Sequence, residues 1–281
     1  MENKEWTKVV KSHAAWLDID LKEIWRFRDL IFLFVKRDFV ATYKQTILGP
    51  LWYIIQPLVS TFIFSIIFSR VAHIPTDGIP PVLFYLAGLT TWNYFSECLV
   101  KTSSTFIANA AMFGKVYFPR MVVPLSVVIS SLIKFGIQFM LLLIYMIFYS
   151  IKGDNLHPNM WVFITPLLVV LMAGLGLGLG IIISSLTTKY RDLQFFLSFG
   201  VQLLMYATPI VYPLSMLHGK PRLIALLNPM TPILETFKYA YFGAGEINLW
   251  YLLYSFFIMT VLLFFGFMIF NKVEKIFMDT V

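Results

Sequence analysis

Along the chain, apolar residues arrive in long blocks separated by short polar stretches. Six blocks are long enough to cross a bilayer: 51–69, 82–100, 121–150, 160–186, 193–212 and 249–270. A helix rises about 1.5 Å per residue, so a hydrocarbon layer about 30 Å thick takes roughly 20 residues. The first two blocks just suffice, and the third must tilt or project. Lipid offers no hydrogen bonds to a backbone, so the pattern predicts an all-α membrane protein with six transmembrane helices.

Ahead of the first block, Leu21, Ile24, Trp25, Ile31, Phe32, Val35 and Phe39 recur at helical spacing, with Lys22, Glu23, Arg26, Asp29, Lys36, Arg37 and Asp38 between them. This predicts an N-terminal amphipathic interface helix that lies along the inner membrane surface, covers a soluble partner, or does both. Residues 1–50 then form an interface segment and residues 51–281 the transmembrane domain. The connection 213–248 is too long for a turn and too apolar for a solvated loop. Its Asn228-Pro229 and Thr231-Pro232 steps predict hinges between two short re-entrant helices that dip into the outer leaflet before the last span. Irregular backbone at that depth is tolerated only against protein or a wet cavity, so this segment is expected to line the outer mouth of a path.

Composition supports the lipid reading. Of 281 residues, 59% are hydrophobic and 13% charged, where a soluble domain carries about a quarter charged residues. The net charge of +7 comes without a basic patch interleaved with aromatics, which argues against nucleic acid and for a topology signal. Lys and Arg crowd the N-terminal segment, the connections holding Lys115, Arg120, Lys189 and Arg191, and the tail with Lys272 and Lys275. The other side has Arg70, Lys152, Lys220, Arg222 and Lys238, so both termini are expected to be cytoplasmic. Residues 1–11 are mixed in charge and lack the apolar core of a cleaved signal peptide.

Chemistry is sparse. Gly174, Gly176, Gly178 and Gly180 alternate inside the fourth block, but no Gly-Lys-Ser/Thr follows, and Gly114-Lys115 is followed by Val116. Their small-xxx-small spacing instead predicts close helix packing. His13, His73, His157 and His218 fall in separate connections, and the lone Cys98 has no partner, so neither a metal site nor a disulfide is expected. No catalytic residue and no cofactor site emerges; an energy source would have to reside on another chain.

The informative residues are those that lipid tolerates poorly. Glu97, Lys101 and Lys134 lie at or inside predicted spans and need a partner or a wet cavity. Glu97 and Lys101 are one helical turn apart. Two readings stay open: a salt bridge joining the second and third spans, or groups facing a hydrated conduit. Aromatics on the first two spans, Trp52, Tyr53, Phe62, Trp92, Tyr94 and Phe95, either form interfacial belts or line a path and present flat faces to sugar rings. Residues 109–120, with Phe113, Lys115 and Tyr117, and residues 187–192, with Lys189, Tyr190, Arg191 and Asp192, have the makeup of short docking helices or of plain positive-inside loops.

The run from Lys36-Arg37-Asp38 through Tyr43-Lys44-Gln45-Thr46-Ile47-Leu48-Gly49-Pro50-Leu51-Trp52 to Gln56-Pro57 resembles the signature entering the first span of one family: the membrane subunits of type-2 ATP-binding-cassette exporters for O-antigen, capsular polysaccharide and teichoic acid. The loops Lys115-Val116-Tyr117-Phe118-Pro119-Arg120 and Lys189-Tyr190-Arg191-Asp192-Leu193 are similar too, as are the two proline breaks. The resemblance implies a homodimer in the bacterial cytoplasmic (inner) membrane, paired with two ATPase subunits that carry the ATP and Mg. These would dock on the two loops and the N-terminal helix, driving export of a polysaccharide linked to undecaprenyl diphosphate. It also implies a gate helix over residues 36–46, where Arg37 and Lys44 would attract the lipid headgroup. The alternative within the same architecture is the membrane subunit of a drug or small-lipid exporter.

Overall fold

The computed structural model describes residues 21–44, 46–116, 118–154, 156–190 and 192–280, and these are helical with no strand among them. Two helices precede the bundle, α1 (Leu21–Arg26) and α2 (Arg28–Tyr43). Residues 36–43 continue α2 without a break, so the expected gate segment is the end of a longer helix. The chain then makes a 3-10 turn at Gly49–Leu51, where Gly49 takes a positive φ of 51°, a conformation open to glycine without a Cβ clash. It continues as α3 (Trp52–Phe64) and a π-helical extension, Ser65–Val71.

After α4 (Pro81–Ser103) and the short α5 (Thr105–Phe113) come α6 (Val122–Ile151) and α7 (Thr165–Thr187), the latter led in by a 3-10 turn at Met160–Ile164. Then follow α8 (Leu193–Ala207), α9 (Lys220–Leu227), α10 (Met230–Phe242) and α11 (Leu249–Thr280). Four helical stretches are long and apolar enough to cross a membrane: Gly49–Val71, Val122–Ile151, Met160–Thr187 and Leu249–Val273. The two other expected spans fall short for different reasons. α4 has the length but carries Thr90, Thr91, Asn93, Ser96, Glu97 and Lys101. α8 is apolar but only 15 residues long; it stops at Ala207 rather than 212 because Thr208 precedes Pro209 and takes an extended conformation.

The polarity of α4 explains its position. It packs against α7, α6 and α3, and residues 83–92 are all buried, so its hydroxyls and amides meet protein. The alternating glycines set the approach of its neighbours. A Cβ on Gly176 would lie 2.7 Å from Cys98 Cβ, and one on Gly180 would lie 2.6 Å from Thr102 Cβ, both on α4. On the opposite side, a Cβ on Gly174 would lie 2.5 Å from Met259 Sδ, and one on Gly178 would lie 3.0 Å from the Leu262 backbone, both on α11. The stripe therefore lets α7 sit between α4 and α11 at near-backbone contact, the packing role its spacing predicts.

Short helices do occupy the 213–248 connection, with a break at Asn228-Pro229. The Asn228 side chain caps the following helix through Met230 N–H at 3.0 Å and donates to Thr208 Oγ1 at 2.7 Å. Ser255 Oγ of α11 donates to Pro229 O at 2.8 Å. Thr231-Pro232 is not a hinge as expected: it lies in the first turn of α10, where proline costs no backbone hydrogen bond. α10 is buried along almost its whole length.

Candidate functional site

The ionisable residues flagged inside spans come together. Asn93, Glu97 and Lys101 stand one turn apart on a single face of α4, opposite Lys134 and Gln138 on α6. Lys134 Nζ lies 3.0 Å from Glu97 Oε2, and Lys101 Nζ lies 2.5 Å from Glu97 Oε1. One turn further along, Asn93 Nδ2 donates to Gln138 Oε1 at 3.4 Å. Tyr53, in the first turn of α3, closes the third side with its ring 5.5 Å from Lys134 Nζ. Of the two open readings, the ion pair between α4 and α6 is present, with Lys101 45% exposed and Lys134 21%. One carboxylate serves two ammonium groups, so the cluster carries a net positive charge.

Because Lys101 ends α4 and Tyr53 begins α3, this seam lies at the end of the bundle where α2 joins α3 and α5 follows α4. That end has its own apolar core, in which Ile31, Phe34 and Val35 of α2 pack with Phe106, Phe113, Phe118, Val122 and Phe270. α2 is thus anchored on the protein, against α6.

The remaining predicted residues divide by exposure. Arg37 is held by Asp38, Nη2 to Oδ1 at 2.8 Å, and lies over the Phe34 ring at 4.6 Å. Lys44 is exposed just past the end of α2. Trp52 and Phe62 are on the outer face of α3, 49% and 45% exposed. Trp92, Tyr94 and Phe95 are buried within the chain, Tyr94 against Phe135 at 5.1 Å between centroids and Trp92 against Phe95 at 5.3 Å.

The two proposed docking segments need correction. The first helix is α5, which begins at Thr105 and ends at Phe113, before Lys115; Phe113 is buried beneath the Arg120 guanidinium at 5.3 Å. It is therefore a packing residue, while Lys115 and Val116 are exposed. The second segment is a tight turn rather than a helix, with Lys189, Tyr190 and Asp192 exposed and Lys189 Nζ 5.3 Å from the Tyr190 ring. Tyr117 and Arg191 lie outside the described residues.

Two groups escaped sequence reasoning. The Asn93–Gln138 pair extends the seam and was visible as the i, i+4 neighbours of Glu97 and Lys134. Lys238, counted only among the charges of the outer-side connections, is buried: its Nζ donates to Pro209 O at 2.7 Å, sits 3.9 Å over the Phe84 ring and lies 3.4 Å from Glu235 Oε1. The Glu-x-x-Lys spacing in an apolar helix was the available signal.

Comparison with known proteins agrees with this architecture. The O-antigen export system permease protein RfbA of Klebsiella pneumoniae is 30% identical over 247 residues, covering 88% of this chain and 92% of the relative. The protein of the same name from Myxococcus xanthus is 28% identical, covering 78% and 82%. The capsule polysaccharide export inner-membrane protein CtrC of Neisseria meningitidis serogroup B is 26% identical, covering 88% and 92%. Residues 29–242, which run from the start of α2 to the end of α10, match the membrane family described as ABC-2 type transporter, and the chain belongs to that family.

Proposed function

We propose that this chain is the transmembrane subunit of an ATP-driven exporter that moves lipid-linked polysaccharide, O-antigen or a similar polymer, out across the bacterial cytoplasmic membrane. The carrying observation is the near full-length similarity to permeases named for O-antigen export, at about 30% identity. The chemistry of the chain suits that role. A charged seam, Glu97 with Lys101 and Lys134, sits among its apolar helices, where charge calls for a partner or a wet path.

In this reading α4 and α8 are the two spans that complete six. α4 crosses because its polar face is shielded by α3, α6 and α7, and α8 crosses with help from the residues that follow it. Both termini are cytoplasmic, which puts α2, α5 and the exposed turn at Lys189 and Tyr190 on the side of the ATPases. Two copies pair to form the path, with two ATPases docking on Lys115, Tyr117, Lys189, Tyr190, Arg191 and Asp192. Trp52 and Phe62, exposed on α3, would face such a path, and Arg37 and Lys44 would attract the headgroup of a carrier lipid such as undecaprenyl diphosphate.

Deleting the gene in its host and staining surface polysaccharide tests the proposal. Loss of surface polymer with cytoplasmic build-up of the lipid-linked form, restored by the intact gene, is the expected result. Unchanged surface polymer with raised drug sensitivity would replace it with the drug-exporter reading.

A further inference from the structure

The seam between α3, α4 and α6 holds a feature that a plain structural salt bridge does not need. A bridge joining two helices requires one cation and one anion. Here Glu97 has two cations, one on each carboxylate oxygen, and among the described residues it is the one carboxylate within ion-pair distance of either lysine. Lys101 already satisfies Glu97 from within α4. Lys134 therefore brings an extra positive charge into a place where desolvation makes charge costly.

Beside it, Gln138 Nε2 is buried without a hydrogen-bond partner, although its Oε1 accepts from Asn93. An orphaned donor one turn from an ammonium group that shares its carboxylate is a pair of features that an acceptor-rich, negatively charged group would satisfy together. Glu97 has two oxygens, and both are occupied. A phosphate-type headgroup has more, and it is the anion that a membrane supplies between helices.

We propose that the Lys134 ammonium and the Gln138 amide form a subsite for a phosphate-type headgroup, with Glu97 as the resident counter-ion of Lys134 that the ligand displaces. Displacement breaks the link between α4 and α6 while Lys101 still neutralises Glu97 within its own helix. The headgroup then takes over the pairing of Lys134, so passage of an anion and loosening of the seam are one event. The inference rests on the export reading for the identity of the lipid, but not for the chemistry of the site.

The test uses the permease–ATPase complex in phosphatidylcholine nanodiscs, titrated with undecaprenyl diphosphate, phosphatidylglycerol and free inorganic diphosphate, with binding read by microscale thermophoresis. Lys134→Met should weaken binding about tenfold, the loss of one charge-assisted contact. Glu97→Gln should strengthen it several-fold by removing the competitor, whereas a merely structural bridge would make Glu97→Gln and Lys134→Met fail alike. Glu97→Gln/Lys134→Gln removes both charges of the bridge; it should melt near the wild-type temperature and bind as weakly as Lys134→Met, which separates lost binding from lost folding.

Preference for undecaprenyl diphosphate assigns the site to the carrier lipid, equal occupancy by phosphatidylglycerol assigns it to bulk phospholipid, and saturation by inorganic diphosphate alone assigns it to the free anion; each supports the subsite. Wild-type affinity for all three probes in Lys134→Met, or weakened binding in Glu97→Gln, overturns it. If the gene deletion abolishes surface polymer while Lys134→Met binds normally, the subsite falls and the export reading stands. If the deletion leaves surface polymer intact while the lysine variants lose lipid binding, the reverse holds.

Discussion

At the scale of single residues, the most demanding group is the Lys238 ammonium. It is 2% exposed, so its charge is tolerable only because the Pro209 carbonyl, the Glu235 carboxylate and the Phe84 face surround it. These contacts belong to three different parts of the chain, so Lys238 fastens α10 to both α4 and the segment leaving α8. Removing one member of a buried pair leaves the other uncompensated, at a cost of about 3–5 kcal/mol. Lys238→Met should therefore lower the melting temperature of the purified protein sharply, as read by tryptophan fluorescence. Glu235→Gln/Lys238→Met together should recover much of the loss. Equal destabilisation by the single and double variants would show that the pair is not what holds α10 in place.

Among the elements, α7 shows how a repeated small residue becomes architecture. Gly176 and Gly180 admit α4, while Gly174 and Gly178 admit α11, so one helix with two glycine rows serves as a spacer for the bundle. Gly180→Ala would drive a methyl group into Thr102 and the Leu99 carbonyl, an overpacking that costs about 1–3 kcal/mol. Gly136→Ala on α6 and Gly200→Ala on α8 meet nothing within 4 Å and should be neutral or slightly stabilising, since alanine favours a helix interior by about 0.5–1 kcal/mol. Thermal melts of the three variants in one lipid system check the contrast, and equal melting temperatures would remove the packing role assigned to the stripe.

How much could be read from the sequence also divides by element. The long blocks at 121–150 and 160–186 gave helices within a few residues of their expected bounds, and 249–270 gave one that starts where expected and runs on to Thr280, because length and apolarity are local properties. The Glu97–Lys134 contact followed from the cost of charge in lipid, which demands a partner somewhere. The end of α8 and the capped break at Asn228 depended on backbone conformation at Thr208 and on a side chain reaching across 20 residues. No periodicity reports such contacts. Phe113 and Lys238 were misplaced for a related reason: a polar-looking connection can fold its aromatic inward, and an apolar-looking one can bury a lysine, when distant residues supply the neighbours.

For the whole molecule, the exposed apolar surface is the defining property. α3, α6, α8 and α11 present Ile, Leu and Phe outward, whereas α4, α7 and α10 form the interior. Such a body needs lipid on its outside, and the ABC-2 family match leads to an ATPase as the source of work. Lys115 and Val116 after α5 and Lys189 and Tyr190 between α7 and α8 are exposed, and the docking proposed for such a partner falls there. The central claim is that this chain and a cassette ATPase act as one exporter. The most direct measurement is to co-express the chain with a cassette ATPase of its host, reconstitute the purified complex in liposomes and follow translocation of lipid-linked polysaccharide on addition of ATP. Translocation that requires both subunits and is lost in Lys189→Ala/Tyr190→Ala, along with co-purification of the ATPase, is the predicted result. A chain that purifies without the ATPase, or polymer movement that proceeds equally well without ATP, would contradict it.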